Sequence, residues 1–403
     1  MKLGILSRSA HPLHEPGGLE RAVYHSAKHL AARGLRITLV TRPPTRAGSF
    51  PGSVRIVPYG GLPLGPHGSV ADRLVHYPFF AMRCGAAAAE LVRGGGADAV
   101  VAHGITAWGI GRLRASDAKL RVPLVMNPHG LEEHKARGIK GLALTPLKHL
   151  SRVSARLADR VIATDSSLSA DIRSLLGVSP ERIVLVPNGV DLDEIREATP
   201  DEPRAEVERM LPGLRGAAPL LLSVGRLEAY KGFGDLLKAL RQLDACGALP
   251  ARWAWVVVGG GPLASTFDRL AETPLAGHVV RTGRVPDALL HALYAVSDLF
   301  LHATRYEGSS LVTLEAMAHS LPVVATKAGG IPDKVVDGVT GLLVAPGDVA
   351  GVAEAIGALA RDAERRRAMG TAGLKLVRER YAWPAIAETM CGVLEGLLRE
   401  RAS

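Results

Sequence analysis

Cysteine, aromatic residues and long apolar runs are all scarce in this 403-residue sequence. Its three cysteines, Cys84, Cys246 and Cys391, lie far apart with no Cys-x-x-Cys or Cys/His spacing, which excludes a disulfide scaffold and a zinc site. They read as small core residues in a reducing compartment. Phe, Trp and Tyr together make up 4% of the chain, so a core has to be built from Ala, Val and Leu. No run approaches the roughly 18 apolar residues that a membrane-spanning helix needs, and the apolar stretch within residues 1–6 is too short for a signal peptide. A cytoplasmic location is the expectation. Gly (45) and Pro (26) are scattered without period, which excludes collagen and linker sequences.

What is present is an ordinary globular composition, 47% hydrophobic and 22% charged, in a chain long enough for two domains. Lys2 to Ser7 is a short apolar strand, followed by a polar loop from Ser9 to Pro16 and a helix beginning at Gly17-Gly18-Leu19-Glu20. Ile37 to Thr41, Ala99 to Ala102, Val122 to Asn127, Arg160 to Ala163 and Ile183 to Val186 continue the strands. A polar, proline-bearing stretch from Glu197 to Gly216 reads as the domain junction. A second series runs through Leu220 to Val224, Trp253 to Val258, Val279 to Thr282, Leu299 to His302, Val323 to Ala325 and Leu342 to Ala345. Strands alternating with helices predict two doubly wound α/β domains with parallel sheets, and ligands of such sheets lie at the carboxyl ends of the strands. The cleft between the domains is the expected site.

Charge is unevenly placed. The net charge is +10, and residues 1–195 hold 25 Lys+Arg against 15 Asp+Glu, leaving 24 against 24 for the rest. The densest basic stretch runs from Lys135 through Arg137, Lys140, Lys148, Arg152 and Arg156 to Arg160. Leu142, Leu147, Leu150, Val153 and Leu157 alternate with these at helical spacing. A solvated helix face and a contact with an anionic membrane both fit this pattern. Nucleic acid fits least, because no aromatic platform follows Trp108 in this half.

Two clusters carry chemistry. Gly225-Arg226-Leu227-Glu228-Ala229-Tyr230-Lys231-Gly232 follows the strand Leu220 to Val224 and puts a guanidinium and an ammonium near one sheet edge. Such a pair can clamp a diphosphate or merely form a surface ion pair. In Glu307-Gly308-Ser309-Ser310-Leu311-Val312-Thr313-Leu314-Glu315, two carboxylates flank a small-residue turn that enters a helix. Free N–H groups at such a turn can hold phosphate, and a carboxylate further in can accept both hydroxyls of a ribose. Glu307 is also compatible with a plain helix-start acid.

Taken together with Ala328-Gly329-Gly330-Ile331-Pro332, these motifs resemble the retaining glycosyltransferases of family 4. The resemblance extends over nearly the whole chain, through Gly17-Gly18, Val186-Pro187-Asn188-Gly189-Val190-Asp191, Val258-Gly259-Gly260-Gly261-Pro262 and Asp337-Gly338-x-Thr340-Gly341-Leu342-Leu343-Val344. It implies a GT-B fold: residues 1–195 as a Rossmann-like acceptor domain and 196–380 as a Rossmann-like nucleotide-sugar domain, the two facing a cleft. Residues 381–403, from Tyr381-Ala382-Trp383-Pro384, would form a helix crossing back to the N-terminal domain.

By the same resemblance Arg226 and Lys231 would neutralise the leaving diphosphate, Glu307 would face the donor sugar, and Glu315 would bind the ribose. Backbone N–H groups of Leu311 and Val312 would hold phosphate, Arg284 and Val285 would flank the base, and Gly17 and Gly18 would let the backbone approach. His129, in Asn127-Pro128-His129-Gly130, would lie near the transferred sugar and polarise it; read alone, it is equally a structural histidine. Ser309 and Ser310 stand where the family commonly has Phe and Gly, which bears on the choice of donor sugar. The implied activity is metal-free, cofactor-free and retaining transfer of a hexose-type unit from a UDP- or GDP-sugar. The acceptor would be a glycan or lipid-linked saccharide of a surface polysaccharide or glycolipid pathway, and the basic N-terminal half fits a peripheral contact with the inner membrane face. Asp191-Leu192-Asp193 resembles a metal-binding Asp-x-Asp pair but falls inside the interdomain signature. A UDP-sugar 2-epimerase-like enzyme and a non-catalytic sugar-nucleotide binder share the same plan and are the alternatives.

Overall fold

The computed structural model describes residues 1–14, 17–59, 70–136, 138–269 and 275–402. Pro16 and Arg137, and the side chain of Lys140, lie outside the described residues. The chain divides into two compact units, residues 1–188 with 383–403 and residues 189–382.

The first unit is built on a seven-stranded sheet. Its strands are β1 (Lys2–Leu6), β2 (Arg36–Thr41), β3 (Val54–Pro58), β4 (Ala99–His103), β5 (Leu124–Asn127), β6 (Arg160–Ala163) and β7 (Ile183–Leu185), in the order β3-β2-β1-β4-β5-β6-β7. Every pairing is parallel. β4 is buried at all five positions, as a strand covered by helices on both faces must be. The edge strand β3, which the sequence pattern does not announce, is half exposed and among the described residues pairs only with β2.

The second unit carries β8 (Leu220–Val224), β9 (Ala254–Val258), β10 (Val279–Gly283), β11 (Leu299–His302), β12 (Val323–Thr326) and β13 (Gly341–Val344), ordered β10-β9-β8-β11-β12-β13. All pairings are again parallel. In each sheet the winding reverses once, between β1 and β4 and between β8 and β11. Helices leave the sheet in opposite directions on either side of such a point, opening a crevice at the carboxyl ends of the strands.

Residues 189–195, which the sequence places in the first domain, and the stretch 197–216, which it reads as a junction, both belong to the second unit. Asp191 caps the helix Leu192–Ala198, and Val207 and Leu214 are buried in the same core as Leu220 and Tyr294. That stretch looks polar because its helix Pro203–Met210 buries only one side chain. The final helix, Trp383–Ala402, buries Trp383, Ile386, Ala387, Met390, Leu394 and Leu397 at helical spacing. It does so against Leu3, Ile5, Val23 and Ala27 of the first unit. Cys84 and Cys391 are core residues, but Cys246 is exposed, just beyond the end of the helix Phe233–Ala245.

The basic stretch is not one helix. It forms three, Glu132–Lys135, Gly138–Ala143 and Thr145–Leu157; Gly138, which opens the second, takes a left-handed φ of 59°, and the break before the third falls at Leu144. Leu147 and Leu150 face the core, whereas Leu142 is 77% exposed and Ile139 89%. Among the described residues no helix is long and apolar enough to cross a membrane.

Candidate functional site

The second unit's crevice is organised around Glu307. Lys231 Nζ donates to Glu307 Oε2 at 2.8 Å, and His302 Nε2, at the last residue of β11, lies 2.7 Å from the same oxygen. Seventy-six residues separate Lys231 from Glu307 in sequence, and backbone packing joins them. Gly232 has φ 74°, and a Cβ there would stand 1.8 Å from the Ala303 carbonyl oxygen, so only glycine lets the Lys231 turn lie on the end of β11. The Arg305 N–H and the Thr304 hydroxyl both donate to the Tyr230 carbonyl, at 2.7 and 3.1 Å. The Arg305 guanidinium grips Asp235 with two bonds of 3.0 Å.

Burial pushes the Glu307 carboxyl upward, but the hydrogen bond and charge of His302 and then Lys231 outweigh it, leaving a pKa of about 2. Glu307 is therefore an anion and a weak base at neutral pH. Behind it, Gly329 has φ 53° and approaches so closely that a Cβ would lie 1.8 Å from the Glu307 carbonyl oxygen.

The helix Leu311–Ala318 starts at the small-residue turn. Ser310 at its N-cap makes no capping bond, so the N–H groups of Leu311 and Val312 stand outside the helix's own ladder. The Ser310 hydroxyl instead turns inward, 2.8 Å from Thr313 Oγ1 and 3.4 Å from His302 Nε2. Ser309 Oγ is buried without a hydrogen-bond partner among the described residues. Glu315, half-buried, accepts from the Tyr294 hydroxyl at 3.1 Å. Burial, and then the Glu315 charge, raise the Tyr294 hydroxyl far above its ordinary range, so it stays a donor.

The other expected residues are placed less tightly. The Arg226 side chain is 73% exposed and pairs with Glu228 at 2.8 Å. Arg284 is exposed and Val285 half-buried, just past the end of β10. Asp191 is used as a helix cap, its Oδ1 accepting from the N–H groups of Asp193 and Glu194, and Asp193 pairs with Arg196 at 3.1 Å.

The first unit has its own crevice at the β1/β4 reversal, a cavity of about 540 Å³. Arg8, Gly18, Glu20, Tyr77, His103 and His129 are among the residues lining it. Gly17 forms the N-cap of the helix Gly18–Ala32, and a Cβ on Gly17 would meet the Glu20 carboxylate at 2.4 Å. His129 takes a left-handed φ of 58°, and its N–H donates to Asn127 Oδ1 at 3.0 Å. Its Nε2 lies 2.5 Å from His103 Nδ1, with the two rings stacked at 21°. Burial pulls His129 down to about 4 and His103 well below the usual imidazole range. Both rings are neutral at neutral pH, one donating and one accepting. Such a pair can polarise a hydroxyl but has no ready proton to give.

His302 and His103 were not among the expected residues. Each closes an apolar strand, β11 and β4, with a polar residue at the carboxyl end, and that placement is the signal that marks them.

Comparison with known proteins gives concordant matches. Residues 16–194 match the family model described as Glycosyltransferase Family 4, and residues 218–362 that described as Glycosyl transferases group 1. The D-inositol 3-phosphate glycosyltransferase of Nocardia farcinica is 30% identical over 98% of this chain and 88% of its own length. A GDP-mannose-dependent alpha-(1-6)-phosphatidylinositol monomannoside mannosyltransferase of Mycolicibacterium smegmatis is 36% identical over 52% of this chain and 56% of its own. Among solved structures, the sucrose-phosphate synthase of Thermosynechococcus elongatus is 22% identical, with a TM-score of 0.77 over 99% of both chains. That likeness concerns the fold.

Proposed function

The chain belongs to glycosyltransferase family 4, and on that premise we propose that it moves a hexose-type sugar from a UDP- or GDP-sugar to a hydroxyl acceptor, with retention at the anomeric carbon and without a metal ion. The observation that carries this reading is the cluster of Lys231 and His302 on Glu307 beside the open N-terminus of the helix Leu311–Ala318.

In this reading Lys231 and the Leu311 and Val312 N–H groups receive the diphosphate, and Glu315 accepts from the ribose hydroxyls with its second oxygen held by Tyr294. Arg226 gives up an exposed ion pair worth at most about 1 kcal/mol for charge-assisted bonds to phosphate worth about 1.5 to 3 kcal/mol each. These cations supply the charge that a metal would otherwise bring to the leaving group. Glu307, an anion of low basicity, is poorly suited to attack the anomeric carbon. The sugar–phosphate C–O bond therefore breaks through an oxocarbenium-like state, the acceptor oxygen bonds on the same face, and its proton passes to the departing phosphate oxygen. The acceptor is held in the first unit's cavity, where the neutral His129, paired with His103, meets and polarises the transferred sugar.

The acceptor class in this reading is a glycan or lipid-linked saccharide of a surface polysaccharide or glycolipid pathway. The names of the two relatives, acting on an inositol phosphate and a phosphatidylinositol mannoside, lie close to that class. Seven Lys+Arg against the single carboxylate of Asp159 between Lys135 and Arg160, with Ile139 and Leu142 exposed among them, favour a peripheral contact with an anionic inner leaflet. Binding to anionic vesicles at low salt, and not to neutral ones, is the expected result; equal binding to both removes this contact.

The activity itself is tested with UDP- and GDP-hexoses in the presence of a chelator, reading the anomeric configuration of the product by NMR. Retention is expected. Inversion, or turnover that stops with the chelator, contradicts the mechanism.

A further inference from the structure

Lys231 has two tasks in the proposed reaction, and they compete. Its ammonium holds Glu307 Oε2 in the structure, and it must also meet the incoming diphosphate. A phosphate that draws the ammonium away removes one of the two donors on that oxygen. Glu307 has a side chain only 12% exposed, and a carboxylate that loses its donors in such a place reorients or takes up a proton.

His302 is the donor that stays. It is 5% exposed at the end of β11, its ring stacked at 21° with Phe300 and its Nε2 2.7 Å from Glu307 Oε2. A short side chain closing a central strand cannot follow the phosphate as a lysine can. The loop that departs from the family pattern takes part as well, since Ser310 Oγ lies 3.4 Å from the same nitrogen. We propose that His302 is the positioning residue of the donor site: it fixes Glu307 Oε2 while Lys231 turns to the diphosphate, so that Glu307 Oε1 meets the hydroxyls of the donor sugar. The low Glu307 pKa, to which His302 contributes ahead of Lys231, is in keeping with this.

The inference rests on the proposed role of Glu307 in facing the donor sugar, and binding measurements separate the two. UDP, GDP, UDP-glucose and GDP-mannose are titrated calorimetrically with a chelator present into the wild type, His302→Leu and His302→Gln. Leucine suits the apolar surroundings of β11 but donates nothing, whereas the glutamine amide reaches the position of Nε2. His302→Leu should weaken the bound sugar nucleotide by about tenfold or more while the bare diphosphate changes by less than about twofold, as loss of a charge-assisted hydrogen bond to the sugar-facing group requires. His302→Gln should restore most of that loss. If His302→Leu does not fold, His302→Asn, whose amide stops short of Glu307, should show the same selective loss. A wild type that binds the nucleotides with a His302 variant that weakens both kinds equally, or neither, overturns this inference alone. A wild type that binds none of the four overturns the donor site itself.

Discussion

Gly329→Ala tests how the backbone holds the site. Gly329 sits at φ 53°, and the new methyl would lie 1.8 Å from the Glu307 carbonyl oxygen and 2.8 Å from its carbonyl carbon. The left-handed conformation costs a non-glycine residue about 1 to 2 kcal/mol, and the overpacking adds about 1 to 3 kcal/mol. Gly338→Ala is the matched control, because Gly338 has φ 76° but nothing within 4 Å of its Cβ position. Urea unfolding should therefore show a loss of about 2 to 5 kcal/mol for Gly329→Ala and only about 1 to 2 for Gly338→Ala. Relief of the clash must move the Glu307 backbone by an ångström or more, and a displacement of that size costs on the order of 10²-fold in rate. Sugar transfer should fall accordingly in Gly329→Ala and persist in Gly338→Ala. Equal destabilisation in the two variants, or unchanged turnover in Gly329→Ala, refutes the reasoning.

Three further outcomes follow from the structure. Lys231→Ala and Glu307→Gln should each lower kcat/KM by about 10²-fold, as losses of preorganised charge do; near-normal rates in folded protein would remove the site. Stability should fall with acid below about pH 6.5, because burial holds His129 and His319 at about 4. The unfolded chain then binds protons first, so the stabilisation from these neutral rings is complete above the ordinary imidazole pKa and is lost as pH falls toward 4, at most about 3 kcal/mol for each. Glu307, held at about 2, keeps its own contribution until the pH falls below about 4.5. A melting temperature that is flat from pH 7 to 4.5 would contradict this. Leu394→Ala should destabilise the protein by about 2 to 5 kcal/mol, since Leu394 is wholly buried with Leu3 and Ile5; an unchanged unfolding midpoint would contradict the packing of the final helix.

What could be read from the sequence depended on how local its cause was. Ala254–Val258 is buried on both faces and so is uniformly apolar, which makes it legible without a structure. Val54–Pro58 is a half-exposed edge strand with a mixed pattern, and it escapes the same criterion. The helix Pro203–Met210 hides for a similar reason, because a helix that buries one valine looks like a linker. The basic stretch has helical periodicity throughout, yet the turn at Gly138 breaks it, and the exposure of Leu142 is set by tertiary packing.

At the site, the Glu307-to-Glu315 spacing and the Lys231-Gly232 pair are local and legible. Their meeting across 76 residues is a consequence of Gly232 packing on Ala303. The histidine pair of the first unit depends on sheet order. His103 meets His129 because β4 lies beside β5, whereas His302 lies five residues before Glu307 and meets it within one connection. No spacing in the chain encodes the contact between His103 and His129.

The most direct test of donor binding is the melting temperature with UDP, GDP and ADP, each in the presence of a chelator, for the wild type and for Lys231→Ala. A ligand that binds only the folded state stabilises it by about 2.7 kcal/mol at a hundredfold excess over Kd. At least one of the three nucleotides should raise the transition of the wild type, and Lys231→Ala should lose most of that rise. No shift with any nucleotide, or a shift that appears only when a divalent ion replaces the chelator, would contradict a metal-free diphosphate site built on Lys231, Glu307 and Glu315.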